Sequence, residues 1–136
     1  MMEIKFCAYV KDKKKVLPVY SLDFSWIESE PVTIASCGDL NCGMCLDTYE
    51  RNSVEIMQYT GLKDKNGKEI YEGYILGKEG HWSFYIGFKD ACFVMIPCNS
   101  VQRVNFTWHP VGQDMIEGWE AIGNIYENPE LLETSK

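Results

Sequence analysis

Four residues, Asp64-Lys65-Asn66-Gly67, constrain the fold of this chain more than any other stretch. Aspartate at the first position of a turn offers an acceptor to the N–H groups ahead of it. Glycine at the fourth takes positive φ without steric cost, so the tetrapeptide suits a type I turn closing into a G1 bulge. Asn66-Gly67 alone also reads as a two-residue type I′ turn. The two alternatives differ in register by about one residue, which exchanges the faces of Glu69, Ile70 and Tyr71. Either way the flanking residues are neighbouring antiparallel strands. Gly61 and Gly73 bracket this unit as further break points; no Gly-x-Gly or Gly-Lys-Ser/Thr pattern accompanies them, so they read as turns rather than phosphate cradles.

The rest of the chain can be laid out as strands around that hairpin. Ile4, Phe6, Ala8 and Val10 alternate with Glu3, Lys5, Cys7 and Tyr9, the pattern of a half-buried strand. Asp12-Lys13-Lys14-Lys15 is a turn with a solvated tip, and Val16 to Leu22 returns to pair with the first strand. Pro18 cannot donate to a ladder, which places that return strand at an edge or beside a bulge. Ser25 to Asn52 is the least regular region: a short Val32–Ala35 run, a group of cysteines, and a stretch from Leu46 to Arg51 open to a helical turn. Ser53 to Tyr59 is β again, with Val54 and Ile56 opposite Glu55, Met57 and Tyr59. Beyond Gly73, Tyr74-Ile75-Leu76 is a short strand. His81 to Phe88 shows the cleanest alternation, with Trp82, Phe84, Ile86 and Phe88 on one face, each contributing about 1.5–3 kcal/mol if fully buried. Lys89-Asp90 turns the chain and Cys92 to Ile96 returns. Val101 to Trp108 and Trp119 to Tyr126 are the last strands, separated by a loop from Pro110 to Gly118. Asn128-Pro129-Glu130 has the N-cap, first-position proline and early acid of a short terminal helix. Strands recurring every 8–12 residues with turns between them read as a small barrel.

The run MQYTGLKDKNGKEIYEG (Met57 to Gly73), the C-terminal IGNIYENPELL (Ile122 to Leu132) and the opening EIKFCAYV together resemble the YopX family of phage and prophage proteins. The resemblance implies a mainly β chain with an N-terminal β extension and a C-terminal SH3-type barrel. Together with the residue pattern this divides the chain into residues 1–56, a β arm with an irregular cysteine-containing loop that lies outside the matching segments, and residues 57–136, the barrel with a short C-terminal helix. It lends no active site, because the family's biochemical role is unassigned. The family usually continues Glu-Gly-Asp-Ile-Val where this chain has Glu72-Gly73-Tyr74-Ile75-Leu76, so a function carried by that acid is lost or altered here.

At 136 residues the chain fits one domain, or a small domain with an elaborated arm, and two independent cores would each be marginal. A hydrophobic content of 46%, with 13% aromatics, is that of a folding sequence. The net charge of −7 argues against a grip on nucleic-acid phosphates or anionic lipid, both of which need surplus Lys and Arg. No apolar run reaches the ~20 residues of a membrane span and the start lacks a secretion signal, so the expected location is the cytosol of a bacterial host. The six cysteines then read as reduced thiols or metal ligands rather than disulfides.

One pattern carries explicit chemistry. Cys37, Cys42 and Cys45 form a Cys-x4-Cys-x2-Cys array similar to part of a plant-type ferredoxin ligand set, and Cys42-Gly43-Met44-Cys45 alone reads as one zinc knuckle. Both need a fourth ligand, for which Cys7, Cys92, Cys98, His81 and His109 are the candidates. The competing reading is three plain thiols in a loop, and on balance no cofactor and no metal are expected. A thioredoxin-like redox pair is disfavoured because no βαβ pattern precedes Cys42. His81 and His109 sit in no nucleophile motif, and no spacing rule singles out a pair of carboxylates, so no catalytic residue is assigned and no enzymatic activity is expected. The surplus of aromatics, including Trp26, Trp82, Trp108 and Trp119, suggests instead a binding or self-assembling module, with Tyr74, His81, Trp82, Tyr85 and Trp108 as candidate contact residues. A host protein or a second copy of the chain is the expected partner. The alternatives are a nucleic-acid-related role, by direct binding or by acidic mimicry of DNA, and a metal-binding protein using the cysteine loop.

Overall fold

A computed structural model of the chain describes residues 3–25, 27, 29–99 and 110–133. The central turn forms as its chemistry dictates. The Gly67 N–H donates to the Asp64 carbonyl at 3.0 Å, the Asp64 N–H to the Lys68 carbonyl at 2.9 Å, and Gly67 has φ +81°, while Asn66 is not among the residues of positive φ. This is the type I turn with a G1 bulge; the I′ alternative, which needs positive φ at Asn66, is excluded. The strands it joins are β5 (Val54–Lys63) and β6 (Glu69–Tyr71), in register at Lys63 and Glu69. Their ladder is interrupted between Tyr59 and Leu62, where the Thr60 hydroxyl donates to the Ile70 carbonyl at 2.7 Å and accepts the Leu62 N–H at 3.2 Å, tying the bulge to the partner strand.

Before the hairpin lie β1 (Phe6–Val10), β2 (Lys15–Leu22), β3 (Val32–Ala35) and β4 (Leu46–Tyr49). They pair antiparallel in the order β4-β3-β2-β1-β5-β6, with β5 meeting β1 through Val54–Gln58 and β6 from Tyr59 onward. β2 is interior rather than at an edge. Its pairing with β3 shifts register between Val19 and Ser21 and runs no further than Val19, so Pro18 is asked for no bond on that side. The helical turn considered at Leu46 to Arg51 is replaced by β4, an outer strand with exposed Asp47 and Thr48, followed by a single 3-10 turn at Arg51–Ser53. Pairing with β3 overrides a local preference that was weak in either direction.

After the hairpin, β7 (Tyr74–Gly77), β8 (Phe84–Lys89), β9 (Cys92–Pro97) and β10 (Glu120–Asn124) form a second antiparallel sheet in the order β10-β7-β8-β9. The pairings of the described strands make two open sheets and close no ring. β8 starts at Phe84, later than the alternation predicts; His81 and Trp82 precede it. Ile86 is buried and Phe84 half-buried, whereas Trp82 and Phe88 are exposed, so the four-residue apolar face is covered only at its centre. β8 and β9 meet in a two-residue turn with Asp90 at φ 53° and Ala91 at φ 66°. Residues 110–118 hold a bridge from Pro110 to Val94 and a 3-10 turn at Gln113–Ile116. The terminal helix is a 3-10 segment, Pro129–Glu133. Asn128, just before it, uses Oδ1 to accept the Asn124 N–H at 3.1 Å. The strand expected at Val101 to Trp108 lies outside the described residues.

The chain divides into two compact units, Ile4–Gln58 and, with Glu3, the described residues from Tyr59 onward. Each has its own apolar cluster. The first is built on Ala8, Val10, Leu17, Val32, Ile34 and Val54, the second on Ile70, Leu76, Ile86, Met95, Ile116 and Trp119. Cys7, Met57 and Tyr59, expected on the outer faces of their strands, are buried as well. No helix among the described residues is long and apolar enough to cross a membrane.

Candidate functional site

The aromatic candidates fall into separate places. Tyr74, at the start of β7, stacks obliquely on Tyr71 at 5.5 Å between ring centroids, and Tyr71 on Tyr59 at 5.4 Å, with the Lys68 ammonium 5.8 Å from the Tyr74 ring. His81 meets Trp119 edge-on at 5.6 Å, and Phe84 meets the same indole at 5.6 Å. Trp119 is buried at 7% exposure, so it belongs to the core rather than to a surplus surface; Trp82 is 43% exposed. Tyr85 is half-buried on β8 between Ile75 and Ile96. Trp26, Trp108 and His109 lie outside the described residues.

The Asp64 carboxylate serves as an anchor. Oδ1 accepts the N–H groups of Asn66 and Lys68, both at 2.9 Å, and Oδ2 accepts the Ala121 N–H of β10, also at 2.9 Å. Burial pushes this carboxyl up, but the amides of Ala121, Lys68 and Asn66, with the Lys68 charge, outweigh it and hold the group below the usual aspartate range. Lys65 N–H to the Trp119 carbonyl at 2.9 Å and two bonds between Gln113 and the Lys63 backbone add to the connection.

A surface feature of the first unit carried no motif. Leu22, Phe24, Pro31, Val32 and Ile56, with Asp23 and Arg51, line an open groove of about 210 Å³. Phe24 is 75% exposed and Ile27, three residues on, 84%. Asp23 is tied to the Ser25 N–H at 2.8 Å, and the Ser25 hydroxyl and amide hold its carboxyl below the usual range. The trace of this region in the sequence is the group of large apolar residues Phe24, Trp26 and Ile27 in a stretch otherwise rich in Ser, Glu and Asp.

The cysteine loop is the tip of the β3–β4 hairpin, closed by the Ser36 N–H donating to the Cys45 carbonyl at 2.7 Å. Turns follow at Gly38, whose N–H reaches the Ala35 carbonyl at 2.9 Å, and at Cys42, whose N–H reaches the Asp39 carbonyl at 3.1 Å. The Ser36 hydroxyl bonds Asp47 across the base. The sulfurs of Cys37, Cys42 and Cys45 come within 4.8 Å of one another, with Cys42 to Cys45 at 3.7 Å. The amides of Met44 and Cys45, then the Cys45 and Cys37 thiols, hold the Cys42 thiol below its usual range. The Cys42 and Cys37 thiols push Cys45 up to about 11. Among the described residues this is the one group of His, Cys, Asp or Glu side chains gathered closely enough to share an ion, and no fourth member joins it. Cys7 and Cys98 are buried and Cys92 bonds the Lys89 carbonyl at 3.3 Å.

No curated protein matches the chain. Among solved structures it is similar to protein EF1440 from Enterococcus faecalis, with 31% identity and a TM-score of 0.68 over 98% of this chain and 100% of that one. It is also similar in fold to yopX from Bacillus subtilis, with 16% identity and a TM-score of 0.59 over 97% of this chain and 98% of that one. The family model described as YopX protein matches residues 5–133, which takes in both units, the central hairpin and the cysteine tip. Since that match spans nearly the entire chain, the protein belongs to the YopX family.

Proposed function

We propose that the chain is a non-enzymatic module of phage or prophage origin that works in the bacterial cytosol by holding a protein partner, foremost a second copy of itself. The observation behind this reading is the apolar groove of the first unit, with Phe24 exposed in its lining and Ile27 exposed three residues on. Large exposed apolar side chains next to a concave apolar surface and an arginine have the composition of protein contact sites, and covering them recovers about 25 cal/mol per Å² of apolar area. The acidic net charge favours such a contact over one with nucleic acid. For the second unit we propose an SH3-type barrel. In its support, the Asp64–Ala121, Lys65–Trp119, Gly73–Ile86 and Ile125–Gly73 bonds link the hairpin and its sequel to β8 and β10.

Mass in solution, measured by light scattering over a wide concentration range, tests the assembly reading. The expected result is an oligomer that Phe24→Ser with Ile27→Ser converts to monomer without loss of fold by circular dichroism. A wild-type protein that stays monomeric and also recovers no specific partner from host lysate at two salt concentrations overturns it.

A further inference from the structure

We propose that Cys37, Cys42 and Cys45 form a Zn²⁺ site at the tip of the β3–β4 hairpin, with three thiolate ligands from the chain and the fourth position open to water or an outside donor. The geometry of the sulfurs carries this. Tetrahedral zinc holds sulfurs at about 2.3 Å, which sets ligand sulfurs about 3.8 Å apart. Cys42 and Cys45 stand at 3.7 Å, and Cys37 lies within 4.8 Å of both, a spacing that a small side-chain rotation closes onto one ion. A disulfide needs about 2.05 Å between sulfurs, and all six cysteines of the chain are free thiols here.

The backbone around the sulfurs is arranged to the same end. Both Cys37 and Cys42 are followed by glycine, Gly38 at φ +86° and Gly43 at φ +71°. A knuckle of this kind turns the chain within Cys42-Gly43-Met44-Cys45 so that both sulfurs lie on the same side, and glycine takes the left-handed position without strain. The Met44 and Cys45 amides lie beside the Cys42 sulfur, where N–H donors stabilise a thiolate. The hairpin base is locked by the Ser36–Cys45 backbone bond and by the Ser36–Asp47 side-chain bond, so the loop that carries the ligands is closed at its root by paired strands.

Ligand chemistry selects the ion. Thiolates favour zinc over Mg²⁺ or Ca²⁺, which take oxygen ligands, and a [2Fe–2S] cluster needs four protein ligands where this group supplies three. An open fourth position is also what distinguishes this site from a closed structural zinc knuckle. Binding replaces thiol protons by the metal, so protons are released as the ion enters. Met44, 87% exposed, and the exposed Leu40 sit inside the ligand loop, so the ion fixes the shape in which they are presented.

Co²⁺ titration of the full chain tests the site. The protein is first reduced and chelator-stripped, with all six thiols counted by alkylation and mass. The expected result is one equivalent of Co²⁺ giving tetrahedral d–d absorption and thiolate-to-cobalt charge-transfer bands, displaced by Zn²⁺ and accompanied by proton release. Cys37→Ser, Cys42→Ser and Cys45→Ser should each weaken binding roughly 100-fold or more, whereas Cys92→Ser leaves it unchanged. Near-UV circular dichroism of each variant separates a lost ligand from a lost fold. Reduced, folded wild-type protein without these bands, or with bands that survive all three substitutions, overturns the proposal.

Discussion

Two of the hairpin tips among the described residues handle acidic side-chain atoms in opposite ways. At Asp64-Lys65-Asn66-Gly67 one carboxylate is surrounded by three backbone donors, one of them from a strand 57 residues away. Its charge is answered by the protein itself, so the tip is complete once the chain has folded. At Ser36 to Cys45 three thiols converge; the amides of Met44 and Cys45, then the neighbouring thiols, hold Cys42 low, while the Cys42 and Cys37 thiols push Cys45 up. The first arrangement stabilises the fold. The second stabilises little by itself and is built to be completed from outside.

The sharpest way to break this contrast is to remove the anchoring groups. Asp64→Ala strands the amides of Asn66, Lys68 and Ala121 and should cost about 2–4 kcal/mol in urea or thermal unfolding, while Cys42→Ser in metal-free protein should change stability by no more than about 0.5 kcal/mol. Equal costs would abolish the distinction. Next in size, Gly67→Ala puts a side chain at φ +81° and should cost about 1–2 kcal/mol by the same measurement. In the other direction, Ala91→Gly relieves a left-handed alanine in the β8–β9 turn, beside an aspartate suited to that geometry, and should gain about 1 kcal/mol. No gain there would mean that the left-handed conformation of Ala91 carries no strain. The smallest effect is one of pH. Because the folded-state value of Asp64 is lowered, its contribution is fully present above the unfolded aspartate value and is lost as pH falls through the folded one. The stability difference between wild type and Asp64→Asn should therefore narrow below about pH 4. A difference that stays constant into acid would contradict the charge-assisted role of this carboxylate.

What the sequence disclosed follows from how local each signal is. The Asp64–Gly67 hairpin was legible within four residues, but the choice between a type I turn with a G1 bulge and a type I′ turn was decided only by the φ values and hydrogen bonds of the folded chain. The family was legible from the same stretch and the C-terminal run. The bond from Asp64 to Ala121 was not, since nothing in either segment names the other. Alternation in β1 and β5 marked one buried face but could not show that Cys7, Met57 and Tyr59 are covered on the other. In β8 it could not show how wide the covering layer is: Phe88, on the apolar face, lies exposed, and so does Trp82, which shares that face and was also a candidate contact residue. β4 went unseen because Asp47 and Thr48 suit an outer strand only when β3 is there to pair with. Cysteine spacing gave the three members of the sulfur cluster; that they converge depends on the hairpin closing beneath them, which spacing cannot state.

Amide hydrogen exchange with and without one equivalent of Zn²⁺ tests the central contrast most directly, because it reads both tips in one experiment. The account predicts that residues 36–45 exchange rapidly in reduced, metal-free protein and slow markedly with zinc, while residues 64–68 are protected in both states. A cysteine tip whose exchange is indifferent to zinc, or an Asp64 turn that exchanges as fast as the metal-free cysteine tip, would contradict it.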